Sequence, residues 1–215
     1  MEDPTNSMFY LIMQAFIAIG TVAVAILAIW GEKFRDWLAG PELEFKLHNA
    51  RGDLTNRQNG QRTIYYHVRI ENKRRWAPAR RVRILCTSIS KRASDGSFVK
   101  EPLIIPVQLT WAFPSFHELL PNVATNDISD LGFLDEKGGH FKLSLYIYPN
   151  NFCGFISANE AMRVSLIASA DNVTSKSPYN LEISWDGKWS PSLEEMQKHL
   201  VIKEVGKLAT ADNTA

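Results

Sequence analysis

Cysteine is scarce in this chain of 215 residues, which contains only Cys86 and Cys153. Two cysteines make no disulfide framework, and without a Cys-x-x-Cys pair we expect no structural zinc site. The two thiols can form one bridge if the protein is exported. They stay reduced if it faces a reducing compartment.

Catalytic motifs are also missing. The sequence has no Gly-x-Ser-x-Gly elbow and no His-Glu-x-x-His motif. Its histidines show no ligand spacing: His48, His67, His117, His140 and His199. We interpret the carboxylates nearest one another as turn formers: Asp127, Asp130, Asp135 and Glu136. The sequence therefore predicts a non-enzyme without metal or cofactor.

Charge is absent from residues 8–30, a run of 23 residues. A helix of that length is roughly 34 Å long and can cross a hydrocarbon core of about 30 Å. Phe9 and Tyr10 at one end and Trp30 at the other suit headgroup depth. A cleaved signal peptide would need a basic start, which residues 1–7 lack, and a core helix of a soluble domain would rarely be uncharged over this length. We predict a short tail at 1–7, a transmembrane helix at 8–30 and an amphipathic turn at 31–40.

The orientation follows from the distribution of positive charge. Residues 1–7 contain no Lys or Arg, whereas residues 31–60 contain Lys33, Arg35, Lys46, Arg51 and Arg57. The positive-inside rule then places the N-terminus outside and the C-terminal domain in the cytoplasm, at a cell inner membrane.

One face of the predicted span collects small or hydrogen-bonding residues, a set we call the seam: Gln14, Ala18, Thr21, Ala25 and Ala28. Such residues let helices approach closely in lipid, so the seam favours a homo-oligomer formed through the membrane. The competing interpretation is that alanine is simply common in such helices.

Beyond Gly40-Pro41 the hydrophobic pattern changes to a period of two, which predicts strands. The strand-like runs are 43–47, 64–71, 81–86, 103–109, 128–134, 141–148, 162–170 and 181–185. About eight short strands predict an all-β antiparallel sandwich over residues 41–205, with one late helix at 191–200 capped by Ser190. Residues 206–215 are predicted to be a flexible tail.

Two of these runs carry a resemblance. Residues 68–72 (VRIEN), a short loop and residues 77–84 (APARRVRI) resemble a repeated feature of bacterial immunoglobulin-like modules. There, a strand ends in Asn and an Ala-x-x-Val-x-Ile strand returns after a turn. The insert 73–76 (KRRW) departs from the small turn usual in those modules. The resemblance implies an immunoglobulin-like sandwich, in a layout similar to that of uncharacterised single-span bacterial membrane proteins, but it implies no activity.

The net charge is only +1, but residues 51–92 hold twelve Lys or Arg against two acids. We expect a basic patch on the outward face of two adjacent strands and their loop, formed by Arg69, Lys73, Arg74, Arg75, Arg80, Arg81 and Arg83. Three interpretations stay open: a solvated face, a contact with anionic lipid or another anion, and nucleic acid. The last is disfavoured because no RRM-type, KH-type or Gly-rich phosphate motif is present.

A second candidate is aromatic. Trp111, Phe113 and Phe116 lie in a stretch interrupted by Pro114, which is unsuited to a central strand. They form either a partner-binding surface or a plug at one end of the sandwich.

Taken together, these patterns predict a membrane-anchored cytoplasmic sandwich that acts as a non-enzymatic binding, recruitment or sensor module with a protein partner. One alternative is a membrane effector whose spans oligomerise and perturb the bilayer. The other, for inverted topology, is an exported carbohydrate- or protein-binding sandwich.

Overall fold

The chain begins with one long helix. The computed structural model describes residues 4–103, 105–112 and 120–206, without the side chains of 4–7 and 32–38. Helix α1 spans Pro4–Ala39, and its stretch Met8–Gly31, 24 residues, is long and apolar enough to cross a membrane. The helix does not end at Trp30 but continues through the segment predicted as a separate turn. It ends at Gly40-Pro41 because proline disfavours helix at the preceding residue.

Residues 41–215 form a second compact unit, which is mostly β. Its elements in chain order are β1 (Leu43–Asn56), β2 (Arg62–Asn72), β3 (Arg83–Arg92), β4 (Phe98–Lys100), β5 (Val107–Gln108), β6 (Asn126–Asp135), β7 (Phe141–Leu143), β8 (Phe155–Ile156), β9 (Glu160–Ser169), β10 (Tyr179–Trp185), α2 (Leu193–His199) and β11 (Leu200–Glu204).

The strands form two antiparallel sheets. Sheet I has the order β1-β2-β6-β7-β8, and sheet II has the order β11-β10-β9-β3-β4, with β5 paired to β3. The inward side chains of both sheets belong to one hydrophobic core. Along β2 the predicted alternation is confirmed, since Ile64, Tyr66, Val68 and Ile70 are all 0% exposed. Each fully buried aliphatic side chain of this kind contributes about 1.5–3 kcal/mol, and the arrangement is compatible with a sandwich.

The hairpin β1–β2 is irregular in its middle. Its register shifts between Leu47 and Asn49 and again between Asn49 and Asp53. Gly52 lies in this bulge with φ +72°, and a Cβ there would come within 2.9 Å of the Tyr65 carbonyl oxygen. The bulge therefore depends on glycine for both its backbone angle and its space.

Three short strands were not predicted, namely β4, β8 and β11. The late helix is shorter than expected, and its N-cap is Ser192 rather than Ser190, whose hydroxyl instead donates to Glu195 at 2.8 Å. Glu194 and Glu195 occupy the first turn, as expected for the positive end of a helix.

Candidate functional site

The outer face of sheet I carries a row of alternating aromatic and basic side chains. In the β6–β7 pairing Phe133 lies opposite Lys142, and in the β7–β8 pairing Lys142 lies opposite Phe155. Their neighbours Leu134, Phe141 and Ile156 are fully buried. Because side chains alternate between the faces of a strand, Phe133, Lys142 and Phe155 point away from the core.

The loop between β7 and β8 folds back over this row. The Tyr148 hydroxyl donates to the Leu143 carbonyl at 2.7 Å, and the Phe152 ring meets the Tyr148 ring edge to face, with centroids 5.9 Å apart. A Cβ on Gly154 would lie 2.2 Å from Cζ of Phe152, so only glycine lets that ring lie against the backbone.

Together these elements enclose a half-open groove of about 480 Å³, within the usual range for small-molecule sites. We call it the aromatic groove, and it is lined by Phe133, His140, Lys142, Tyr148, Pro149, Phe152, Gly154 and Phe155. Tyr148 is 48% exposed and Phe155 36%, so these rings are available to a ligand.

Positive charge accompanies the aromatic groove. Lys142 makes no ion pair within the described part of the chain. The guanidinium of Arg57 lies 5.1 Å from the Phe133 ring centre, and the ammonium of Lys91 lies 4.4 Å from that of Phe155. Only Arg57 of the three has a carboxylate partner among the described residues, Asp135 at 3.3 Å. The groove thus places aromatic rings beside cations, of which Lys142 and Lys91 pair with no carboxylate of the described residues.

A second feature of the same face is a polar cluster, made of His48, Asp53, His67, Arg69 and Asp130. The His67 imidazole is 7% exposed and lies between two carboxylates, with Nε2 3.1 Å from Asp53 and Nδ1 2.9 Å from Asp130. The Nδ1 contact is not aligned as a hydrogen bond. Asp127, Asp130 and Asp135 all lie within β6, and Asp130 is 8% exposed, so their interpretation as turn formers is wrong. Glu136 does lie in a turn.

Arg69 is held inside this cluster rather than on an open patch. Its Nη2 lies 2.8 Å from Nδ1 of His48, while its Nε is buried without a hydrogen-bond partner. Burial, followed by the positive charge of Arg69, lowers the pKa of His48. The cluster therefore joins β1, β2 and β6 by charge, and it has the character of a structural network.

The predicted basic patch does not sit on two adjacent strands. β2 belongs to sheet I and β3 to sheet II, so Arg69 and Arg83 lie in different sheets, and that premise is wrong. The loop between them crosses from one sheet to the other, with Ala79 bridging to Val123.

Several cations of the patch are paired locally. Lys73 contacts Glu44 at 2.5 Å and Glu71 at 3.3 Å, and Arg74 contacts Glu42 at 3.6 Å. Arg81 reaches Asp171 at 3.7 Å. Arg75, Arg80 and Arg83 are exposed and form no ion pair within the residues described.

The aromatic candidates divide between the core and the region not described. Trp111 is 1% exposed and packs in the hydrophobic core, so it offers no surface to a partner. Phe113 and Phe116 lie outside the described residues.

Within the seam, two polar side chains form bonds inside the helix. Thr21 donates to the Ile17 carbonyl at 2.8 Å, and Gln14 donates to the Tyr10 hydroxyl at 3.1 Å. Ala18, Ala25 and Ala28 are exposed. Self-association through this face stays a prediction.

Both cysteines are free. Cys86 is 0% exposed within the core, and burial raises the pKa of its thiol to about 12. Cys153 is half-buried, and its pKa is raised by burial and by nearby Glu101. Among the described residues no group of three His, Cys, Asp or Glu side chains could hold a metal ion.

The aromatic groove was not predicted, although part of its signal is in the sequence. Lys142 falls on the polar phase of a run predicted as a strand, whereas the run 128–134, which contains Phe133, does not alternate regularly. The contribution of Phe152 and Phe155 depends on a two-residue strand and a folded loop, which have no periodic signature.

No protein-family model matches this chain, and no curated protein sequence matches it. What the molecule shows is a mostly β domain of two antiparallel sheets, which follows an apolar helix long enough to span a membrane.

Proposed function

We propose that this protein is a membrane-anchored, non-enzymatic binding module that recruits or senses a partner at the cytoplasmic surface of a bacterial inner membrane. The aromatic groove is the observation that carries the proposal, because exposed aromatic rings beside uncompensated cations are typical of binding surfaces. Anchoring by α1 raises the local concentration of the module, so modest affinity suffices.

The proposed orientation draws on charge and on the thiols. Residues 1–7 lack Lys and Arg, whereas the segment after the span is basic, which favours a cytoplasmic domain. Free Cys86 and Cys153 agree with a reducing compartment. We also propose that the two sheets are an immunoglobulin-like sandwich, on the resemblance of residues 68–84.

We further propose that the bilayer is a partner through the loop after β2. Trp76 is 74% exposed there, between the exposed Arg75 and Arg80. The backbone N–H of Lys73 donates to the Glu42 carbonyl at 2.8 Å, which ties this loop to the first residues after Gly40-Pro41. An amphipathic indole beside unpaired arginines suits an anionic headgroup layer, where each cation contributes about 1 kcal/mol.

Membrane extraction and reporter fusions test the anchoring and orientation. We expect the protein to stay with membranes in alkaline carbonate, and a cytoplasmic reporter fused after Ala215 to be active while a periplasmic reporter is silent. Release by carbonate would overturn the anchoring. An active periplasmic reporter would instead favour an exported sandwich.

A further inference from the structure

The strongest unassigned feature is the position of Lys142 between two rings. Phe133 and Phe155 are its direct cross-strand neighbours on either side, and all three side chains point away from the core. Directly opposed side chains lie roughly 5 Å apart at Cβ, which is close enough for one small ligand to contact all three.

The folded loop gives this triad its shape. Tyr148 and Phe152 close one side, and Phe152 is seated only because Gly154 has no Cβ. The resulting volume of about 480 Å³ is that of a small-molecule site rather than of an extended macromolecular surface.

The charges around the groove favour an anionic ligand. Lys142 and Lys91 have no carboxylate partner among the described residues, and only Arg57 is paired, to Asp135. Of the residues lining the groove, none is acidic. An anion gains here an ammonium partner that no carboxylate of the described residues shares.

The aromatic side chains that line the groove favour a ligand with a flat ring. Aromatic faces stack best on flat, unsaturated rings, and such stacking tolerates many ring types. An aliphatic anion would use Lys142 but would leave the stacking geometry of Phe133 and Phe155 unused.

We propose that the aromatic groove binds a small anion that carries a flat ring, with Lys142 neutralising the anionic group while Phe133 and Phe155 contact the ring. This inference rests on the proposed role as a binding module and names its ligand class. A phosphate joined to a nucleobase through ribose and a carboxylate joined to an aromatic ring share this chemistry, and the experiment separates them.

Calorimetric titration of the full chain in lipid nanodiscs tests the proposal with two probes, adenosine monophosphate and indole-3-acetate. Adenosine and indole-3-acetamide keep the ring without the charge, and ribose 5-phosphate and hexanoate keep the charge without the ring. We expect at least one ring-bearing anion to bind saturably, about tenfold or more tighter than its matched controls. The probe that binds identifies the source of the anionic group.

Lys142→Met should remove the preference for the charged probe. Lys137→Met is the matched control, because Lys137 lies on the turn of the same hairpin and does not line the groove. Equal binding of charged and uncharged probes, a preference that survives Lys142→Met, or no saturable binding of either anion up to about 5 mM would overturn the ligand class.

The binding experiment and the carbonate experiment test the ligand class and the proposed function separately. If the protein stays with membranes in carbonate but binds neither anion, only the ligand assignment is overturned. If carbonate releases the protein from membranes, the proposed membrane-anchored role is overturned even if the groove binds a probe.

Discussion

Nδ1 of His67 and Oδ1 of Asp130 lie 2.9 Å apart across the β2–β6 pairing, and both side chains are almost fully buried. The second carboxylate on the same imidazole, Asp53, is 54% exposed. We expect Asp130→Ala to lower the free energy of unfolding by about 1–3 kcal/mol, because it removes a buried carboxylate from the polar network that packs around the buried His67 imidazole. Asp53→Ala should cost less than about 1 kcal/mol, since solvent screens that pair. Urea denaturation of both variants measures the difference, and equal losses would contradict a special role for Asp130.

The pH dependence of stability should carry a contribution from His48. Its pKa in the folded protein is below the usual value for histidine of about 6.5, first because of burial and then because of the positive charge of Arg69. Between these two pKa values the unfolded chain binds more protons, so His48 makes the folded state less stable as the pH falls through this window. Above the unfolded pKa its contribution is fully present. The denaturation midpoint of wild type and His48→Gln, followed from pH 7.5 down to about pH 4.5, should diverge in this window. Parallel curves would exclude the contribution.

Gly52 and Gly60 form a matched pair for separating backbone strain from steric overlap. Both have positive φ, +72° and +76°, but a Cβ would overlap the Tyr65 carbonyl only at Gly52, and at Gly60 it would meet open space. We expect Gly60→Ala to cost about 1 kcal/mol and Gly52→Ala about 2–4 kcal/mol. Equilibrium unfolding of the two variants gives both values. Similar losses would show that the bulge relaxes around a methyl group.

Thiol labelling should distinguish the two cysteines. Cys86 is 0% exposed with a pKa of about 12, whereas Cys153 is half-buried. Because the thiolate is the reactive form, native protein should react slowly at Cys153 and not at Cys86, and the rate should rise with pH. Mass spectrometry after iodoacetamide treatment should show one labelled site in native protein and two in denaturant. The Cys153→Ser variant serves as control, and native labelling of that variant would contradict the burial of Cys86.

Contact between Trp76 and lipid is measurable by fluorescence quenching. In nanodiscs with brominated acyl chains, wild type should be quenched more than Trp76→Phe, which retains the other tryptophans as background. The difference should grow with anionic lipid content and shrink in Arg75→Glu/Arg80→Glu. Lys137→Glu makes one such charge reversal, half of the change in the double variant, at the opposite end of sheet I and should have no effect. Identical quenching of wild type and Trp76→Phe would place the indole in water.

Sequence patterns predicted those helices and strands that depend on local periodicity. The uncharged run became α1, and the alternation of Ile64, Tyr66, Val68 and Ile70 became the buried face of a strand. Pairings between distant segments were not predictable. His67 meets Asp130 across a bulged register, and no spacing in the sequence reports that contact.

The predicted basic patch also shows that sequence patterns do not reveal which strands pair. The run from Arg69 to Arg83 looks like one hairpin because its two strands follow closely in sequence. The connection instead carries the chain from sheet I to sheet II, where β3 pairs with β9. Which strands become neighbours is decided by the shared core, and alternation alone carries no information about it.

The outermost strands have a consequence for crowding on a membrane. On the proposed anchoring, copies diffuse in two dimensions and meet often, and a long flat border strand would let one copy extend its sheet into the next. Here β8 has two residues, β4 has three, β11 has five and the long β1 is broken by its bulge at Gly52. Neighbouring copies therefore find little backbone to pair with, so many molecules can share one bilayer without fusing into fibres.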